Sequence, residues 1–169
     1  MKRLLLIAVV LTATSTMFAQ FKLGGGLTLG NQISANQNIG GGLNVRANYS
    51  FNERITLSTG YTYIIPSYTS NNRYTSWQIN GDIHYNYLVK EKYSLYGLAG
   101  INYNEQKMTA QNYSYSYDPT NGTTYGNNST TEGLAGINLG LGATYKKYFG
   151  EIKYDAGYDQ VALTMGFIF

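Results

Sequence analysis

The stretch Trp77-Gln78-Ile79-Asn80-Gly81-Asp82-Ile83-His84-Tyr85-Asn86-Tyr87 decides the fold. Trp77, Ile79, Gly81, Ile83, Tyr85 and Tyr87 fall on one face, and Gln78, Asn80, Asp82, His84 and Asn86 on the other. Alternation with period two marks an extended strand, because successive side chains of a strand point to opposite faces. One face is apolar and aromatic, and the other is wholly polar.

The same alternation recurs along the chain. It occupies residues 21–30, 39–49, 55–65, 93–103, 135–145, 148–155 and 161–169, which with 77–87 makes eight segments. No segment beyond Gln20 has helical spacing. The connections at 52–54, 89–92 and 146–147 are tight and charged, whereas 31–38, 66–73 and 106–131 are longer and polar, and 156–159 is short. Short turns on the periplasmic side and long loops outside are the habit of outer-membrane barrels, and an even number of strands returns both termini to the short-turn side.

Which face points inward separates a soluble from a membrane barrel. A soluble, lipocalin-like barrel hides its apolar residues and exposes its charges. Here the charges inside strands lie on the glycine-rich polar face, and eight strands enclose only a narrow interior. Leu, Ile, Val and Phe hold the middle of the other face, with tyrosines near the strand ends, as a lipid-facing band with aromatic girdles requires. Composition agrees. Charged residues make up 12% of the 169, about half the usual share, while tyrosine (18) and glycine (20) are abundant and proline is scarce (2).

Residues 1–19 have the form of a signal peptide: Lys2 and Arg3, an apolar core from Leu4 to Leu11, and Ala19 before the expected cut. The apolar run is too short for a spanning helix, which needs about 20 residues. Residues 20–169 are then the barrel domain. Removing Lys2 and Arg3 from the 12 basic residues leaves 10 against 9 acidic ones, with no basic patch for nucleic acid. With no cysteine there can be no disulfide, thiolate metal site or lipid anchor on cysteine. No cofactor is expected.

With these features, and with Gly150-Glu151-Ile152-Lys153-Tyr154 and the closing Val161-Ala162-Leu163-Thr164-Met165-Gly166-Phe167-Ile168-Phe169, the chain resembles the small OmpA-like and OmpX-like barrels of the Gram-negative outer membrane. The resemblance implies an all-β, eight-stranded, antiparallel, up-and-down transmembrane β-barrel, monomeric and surrounded by outer-membrane lipid. Met165, Phe167 and Phe169 look like the signal read by the outer-membrane assembly machinery. The pattern names the barrel class rather than one function, and the peptidoglycan-binding role of larger relatives is not expected.

Two groups of residues could carry a function. Lys22, Arg46 and Lys153 share the polar face with Asp82, Glu151 and Asp155, three of each sign. Charges withdrawn from water must pair or bear a large desolvation cost, so the six form either an ion-pair plug or the gate of a narrow channel. The segment 106–131 carries Tyr113, Tyr115, Tyr117 and Tyr125 among small polar residues, a composition suited to adaptable contacts with an extracellular ligand. The alternation of Tyr113, Tyr115 and Tyr117 also suggests that strands five and six extend beyond the membrane as a hairpin. His84 is the only histidine and lies on the inner face. A lone histidine completes neither a zinc site nor a hydrolytic triad, so a lipid A-modifying enzyme is the third reading, behind surface contact and a channel. The glycine clusters 24–26 and 40–42 lack the following helix that a phosphate loop needs.

Overall fold

The computed structural model describes residues 20–31, 40–69, 72–118 and 122–169, with the backbone alone described at 69, 111–118 and 122–128. The segment expected to be a signal peptide, residues 1–19, lies outside the described residues, as do 32–39. Eight strands follow one another: β1 (Phe21–Gly30), β2 (Gly40–Ser50), β3 (Ile55–Thr69), β4 (Asn72–Val89), β5 (Tyr93–Asp118), β6 (Gly122–Tyr145), β7 (Tyr148–Asp155) and β8 (Gln160–Ile168). Each pairs antiparallel with its neighbours in sequence, and β1 pairs with β8, so the sheet closes into an up-and-down barrel. No lipid-facing edge is left in the wall, as the absence of water from hydrocarbon demands.

The two faces sort inside out. Leu27, Leu43, Val45, Ile83, Ile101, Ile137, Leu139 and Leu141 project from the wall, with Ile101 70% exposed. The inner face holds the buried polar side chains, among them Arg46, Asn80, Asp82, Asn138, Glu151 and Lys153. The phase expected from the sequence is thus the observed one.

The loop lengths need correction. Two of the three connections read as long and polar are largely strand. β3 continues to Thr69 and β4 begins at Asn72, so the described residues of 66–73 belong to paired strands, with a register shift between Ile64 and Ser67. Likewise β5 runs to Asp118 and β6 starts at Gly122, so the described residues of 106–131 form a two-stranded ribbon that continues the barrel wall, as the alternating tyrosines suggested. Thr, Tyr, Ser and Asn in alternation favour pairing once a neighbouring strand supplies the ladder, and polar composition does not forbid it outside the lipid.

Close approach at the closing seam falls on glycines. Gly24, Gly25 and Gly26 of β1 face Ile168, Phe167 and Gly166 of β8. A Cβ on Gly166 would lie 2.6 Å from Gly26 Cα, where only backbone stands to yield. The seam is also held by Leu23 N donating to Phe169 O (3.1 Å) and Phe169 N to Leu23 O (2.8 Å). Gly166→Val should therefore cost roughly 2–3 kcal/mol or prevent closure. Gly97→Val, on the outer face with no atom within 4 Å of its Cβ position, should stay within about 0.5 kcal/mol. Heat-dependent gel mobility and urea titration of the two variants check this contrast.

Candidate functional site

Inner-face residues from β2, β4, β5, β6, β7 and β8 meet in a packed polar column. Its lower belt, nearer the tight turns, centres on Glu151 of β7, 2% exposed. Arg46 of β2 grips both carboxylate oxygens, Nη1 to Oε1 at 2.6 Å and Nη2 to Oε2 at 2.8 Å, and its Nε donates to Asn44 Oδ1 at 3.1 Å. The Tyr96 hydroxyl donates to Glu151 Oε1 at 2.8 Å. His84 stacks on Tyr96 with ring centroids 4.6 Å apart and planes 9° from parallel, and its Nε2 stands 3.8 Å from Glu151 Oε1. The Arg46 guanidinium covers the Phe149 ring at 3.9 Å. A bidentate charge-assisted pair of this kind is strong in low dielectric.

Above it, Asp82 of β4 accepts from Lys153 Nζ (3.2 Å), Asn80 Nδ2 (2.6 Å) and Asn138 Nδ2 (2.9 Å). Asn138 Oδ1 accepts in turn from Asn102. A third belt forms around Asp155, whose carboxylate accepts from Gln78, Asn104, Gln160 and the backbone N–H of Gly157 at 2.9–3.2 Å. Wall glycines make room for these groups. A Cβ on Gly142 would meet the Tyr96 hydroxyl at 2.6 Å, and one on Gly136 would meet Asp155 Oδ1 at 2.7 Å.

The sequence placed six charges in one network, and the geometry revises that. Arg46 meets Glu151 and Lys153 meets Asp82, but Asp155 has only neutral donors among the described residues. Lys22 lies exposed at the barrel mouth, and its side chain makes no ion pair among the described residues. Position explains the difference: Lys22 is next to the first residue of β1, where water reaches it. Phe149 and Leu98 escaped the sequence reading because a single apolar residue on a polar face looks like noise. Stepping back by two from Glu151 would have put Phe149 on the inner face.

The column divides the lumen. On the tight-turn side lies a vestibule of about 620 Å³, lined by Lys22, Asn48, His84, Asn86, Ser94 and Tyr96 among others. Towards the other end a cavity of about 20 Å³ lies beside Ser76, Asn104 and Gln160, room for about one water. Among the described residues no three His, Cys, Asp or Glu side chains gather as a metal site.

Of the remaining sequence candidates, Met165, Phe167 and Phe169 are exposed on the outer surface beside β1. Tyr113, Tyr115 and Tyr117 lie along the β5 arm of the ribbon and Tyr125 along the β6 arm, with Tyr115 opposite Tyr125 in the ladder. Their side chains lie outside the described residues.

A sequence model described as the outer membrane protein beta-barrel domain matches residues 4–166. Among curated proteins, none matches the sequence. Solved structures with a similar fold include Ail, the attachment invasion locus protein of Yersinia pestis, at 14% identity and TM-score 0.53, covering 88% of this chain and 97% of Ail. Ail has also been solved in complex with the heparin analogue sucrose octasulfate. The N-terminal β-barrel domain of Pseudomonas aeruginosa OprF is 14% identical with TM-score 0.53, covering 89% and 98%. Neisserial surface protein A is 11% identical with TM-score 0.59, covering 88% and 94%.

Removing Arg46 alone strands a buried carboxylate, so Arg46→Met should destabilise the barrel by about 3–5 kcal/mol. The double variant Arg46→Met/Glu151→Met should recover most of that loss, because it removes both charges together. Urea unfolding of the single and double variants in lipid vesicles measures the difference.

Proposed function

Because this chain belongs to the outer membrane protein β-barrel family and resides in the outer membrane, we propose that it is a monomeric structural barrel which contacts an extracellular surface through the β5–β6 ribbon. The observation that carries this reading is an unpaired strand edge. β6 runs from Gly122 to Tyr145, yet β7 pairs with it only along Asn138–Tyr145. On that side the backbone of 122–136 has no strand partner among the described residues, and the side chains from Ser129 to Ala135 are exposed.

A free edge outside the lipid is a template for an incoming strand, with main-chain hydrogen bonds supplying affinity. Tyr113, Tyr115, Tyr117 and Tyr125 would add adaptable contacts along the ribbon. The chemistry fits an extended polypeptide better than a sulfated polymer. Near the long-strand rim, Arg73 and Lys107 are outweighed by Glu105, Glu132 and Asp159, so the cationic surplus that a polyanion needs is absent there among the described residues. The attachment named for Ail supports a surface role only as an analogy of fold. In this reading the surrounding lipid and the assembly machinery are the other partners. His84, stacked in the lumen, serves packing and hydrogen bonding rather than catalysis.

Thr109 pairs with Ser129, so 110–128 can be replaced by an Asn-Gly turn without shortening the wall below. That variant should keep its heat-dependent gel shift and lose binding of cells to immobilised host-surface protein. Undiminished binding would overturn the surface reading.

A second reading, a narrow channel, is favoured by the 620 Å³ vestibule and opposed by the packed pairs beyond it. If the pairs form a plug, Arg46→Gln/Lys153→Gln should carry no more current in planar bilayers than the unsubstituted barrel. A new, stable conductance would favour the channel.

A further inference from the structure

The tight-turn end of the barrel carries a charge pattern that neither the packed polar column nor the ribbon uses, although Lys22, Lys146 and Lys147 also border the vestibule. Lys22, Arg54, Lys90, Lys92, Lys146 and Lys147 lie there against Glu53 and Glu91. Four of the lysines belong to two turns: Lys90 and Lys92 to the β4–β5 turn, Lys146 and Lys147 to the β6–β7 turn. The turns are joined by Lys146 N donating to Lys92 O at 2.7 Å. All four lysines are exposed, and none has an ion-pair partner among the described residues, Glu91 included.

One residue further into the wall, Tyr93, Tyr145, Tyr148 and Phe167 stand in register on four consecutive strands, β5 to β8. All four project outward and are exposed. A row of this kind marks the depth of the membrane–water interface, where tyrosine settles at headgroup level. The lysines therefore stand where the phosphates lie. Two of the ammonium groups lie beside these outward-facing rings: Lys146 Nζ is 5.6 Å from the Tyr145 ring centroid, and Lys147 Nζ is 5.8 Å from that of Tyr148.

The turn itself adds a second observation. Lys146 adopts φ 55°, a left-handed conformation that hairpin turns ordinarily give to Gly, Asn or Asp. Lys146 thus holds a charged side chain at a position where Gly, Asn or Asp would sit with less strain. Tight turns of bacterial barrels face the periplasm, and the periplasmic leaflet of the outer membrane is phospholipid.

We propose that Lys90, Lys92, Lys146 and Lys147, with Tyr93, Tyr145 and Tyr148, form a binding site for anionic phospholipid headgroups of the periplasmic leaflet. Lysine ammonium groups near an anionic lipid surface gain Coulomb energy that falls away within a Debye length. The tyrosine hydroxyls can donate to phosphate or glycerol oxygens, while the rings rest on the upper acyl chains. Zwitterionic lipid offers the same apolar contacts without the net charge, so preference for anionic lipid is the property to measure.

Native mass spectrometry of the purified barrel, with phosphatidylglycerol and phosphatidylethanolamine supplied in equal amounts, reads that preference directly. The unsubstituted barrel should retain phosphatidylglycerol about tenfold over phosphatidylethanolamine. The variant Lys90→Gln/Lys92→Gln/Lys146→Gln/Lys147→Gln should bind the two equally while keeping its heat-dependent gel shift. If that variant does not fold, the pairs Lys90→Gln/Lys92→Gln and Lys146→Gln/Lys147→Gln are each expected to lose part of the preference. Arg73→Gln/Lys107→Gln, at the other rim, should retain it. Equal retention by the unsubstituted barrel, an undiminished preference in the lysine variants, or loss in the Arg73/Lys107 variant would each overturn the proposal. Displacement of the lipid by millimolar inorganic phosphate would also overturn it, by showing a site for free anions.

Discussion

Hydrocarbon offers the peptide backbone no hydrogen-bonding partner, so every N–H and C=O in the wall must find another strand. The pairing of β1 with β8 meets that demand, and the rest of the structure follows from it. Closing eight strands makes a narrow interior, which sends most bulky apolar side chains outward and leaves mainly small and polar ones inside, with Tyr96, Leu98 and Phe149 among the exceptions. Glycines then fall where the walls approach most closely, at the β1–β8 seam and behind Tyr96 and Asp155. Polar groups trapped inside must in turn satisfy one another, and the belts around Glu151, Asp82 and Asp155 are the result.

Much of this was legible in the sequence because a strand repeats every two residues and lipid rewards the apolar face without exception. Trp77–Tyr87 shows the phase of its strand in a single glance, and its neighbours agree with it. The partner of each interior charge was not legible. Arg46 and Glu151 are 105 positions apart, and what brings them together is the stagger of strands around the barrel, which alternation does not encode. Asp155 looked like one half of an ion pair because charge was counted per face, whereas amides at Gln78, Asn104 and Gln160 satisfy it.

Strand ends were legible only within the membrane. There, loss of apolar alternation coincides with the end of the lipid. Beyond the lipid, backbone groups left by one strand can be met by water or by another strand, and composition alone does not choose between them. Residues 66–73 and 106–131 read as polar loops for that reason, although the described backbone in both continues the ladder. The two ends of the barrel consequently obey different rules. One is pinned by short turns and charge at a fixed depth, and the other is free to lengthen.

The closing seam also bears on how the molecule forms. Seven of the eight pairings join strands that follow each other in sequence, so each can form as a local hairpin. The eighth brings together residues such as Thr28 and Thr164, 136 positions apart, whose hydroxyls meet at 2.9 Å. Its loop-closure entropy must be met before its contacts give any return. Until β8 reaches β1, both strands present open edges, and neither can rest in lipid. Formation of this barrel is therefore a commitment made at its last step, and a seam of glycines, with little side-chain bulk to align, suits a contact that must form quickly once the ends meet.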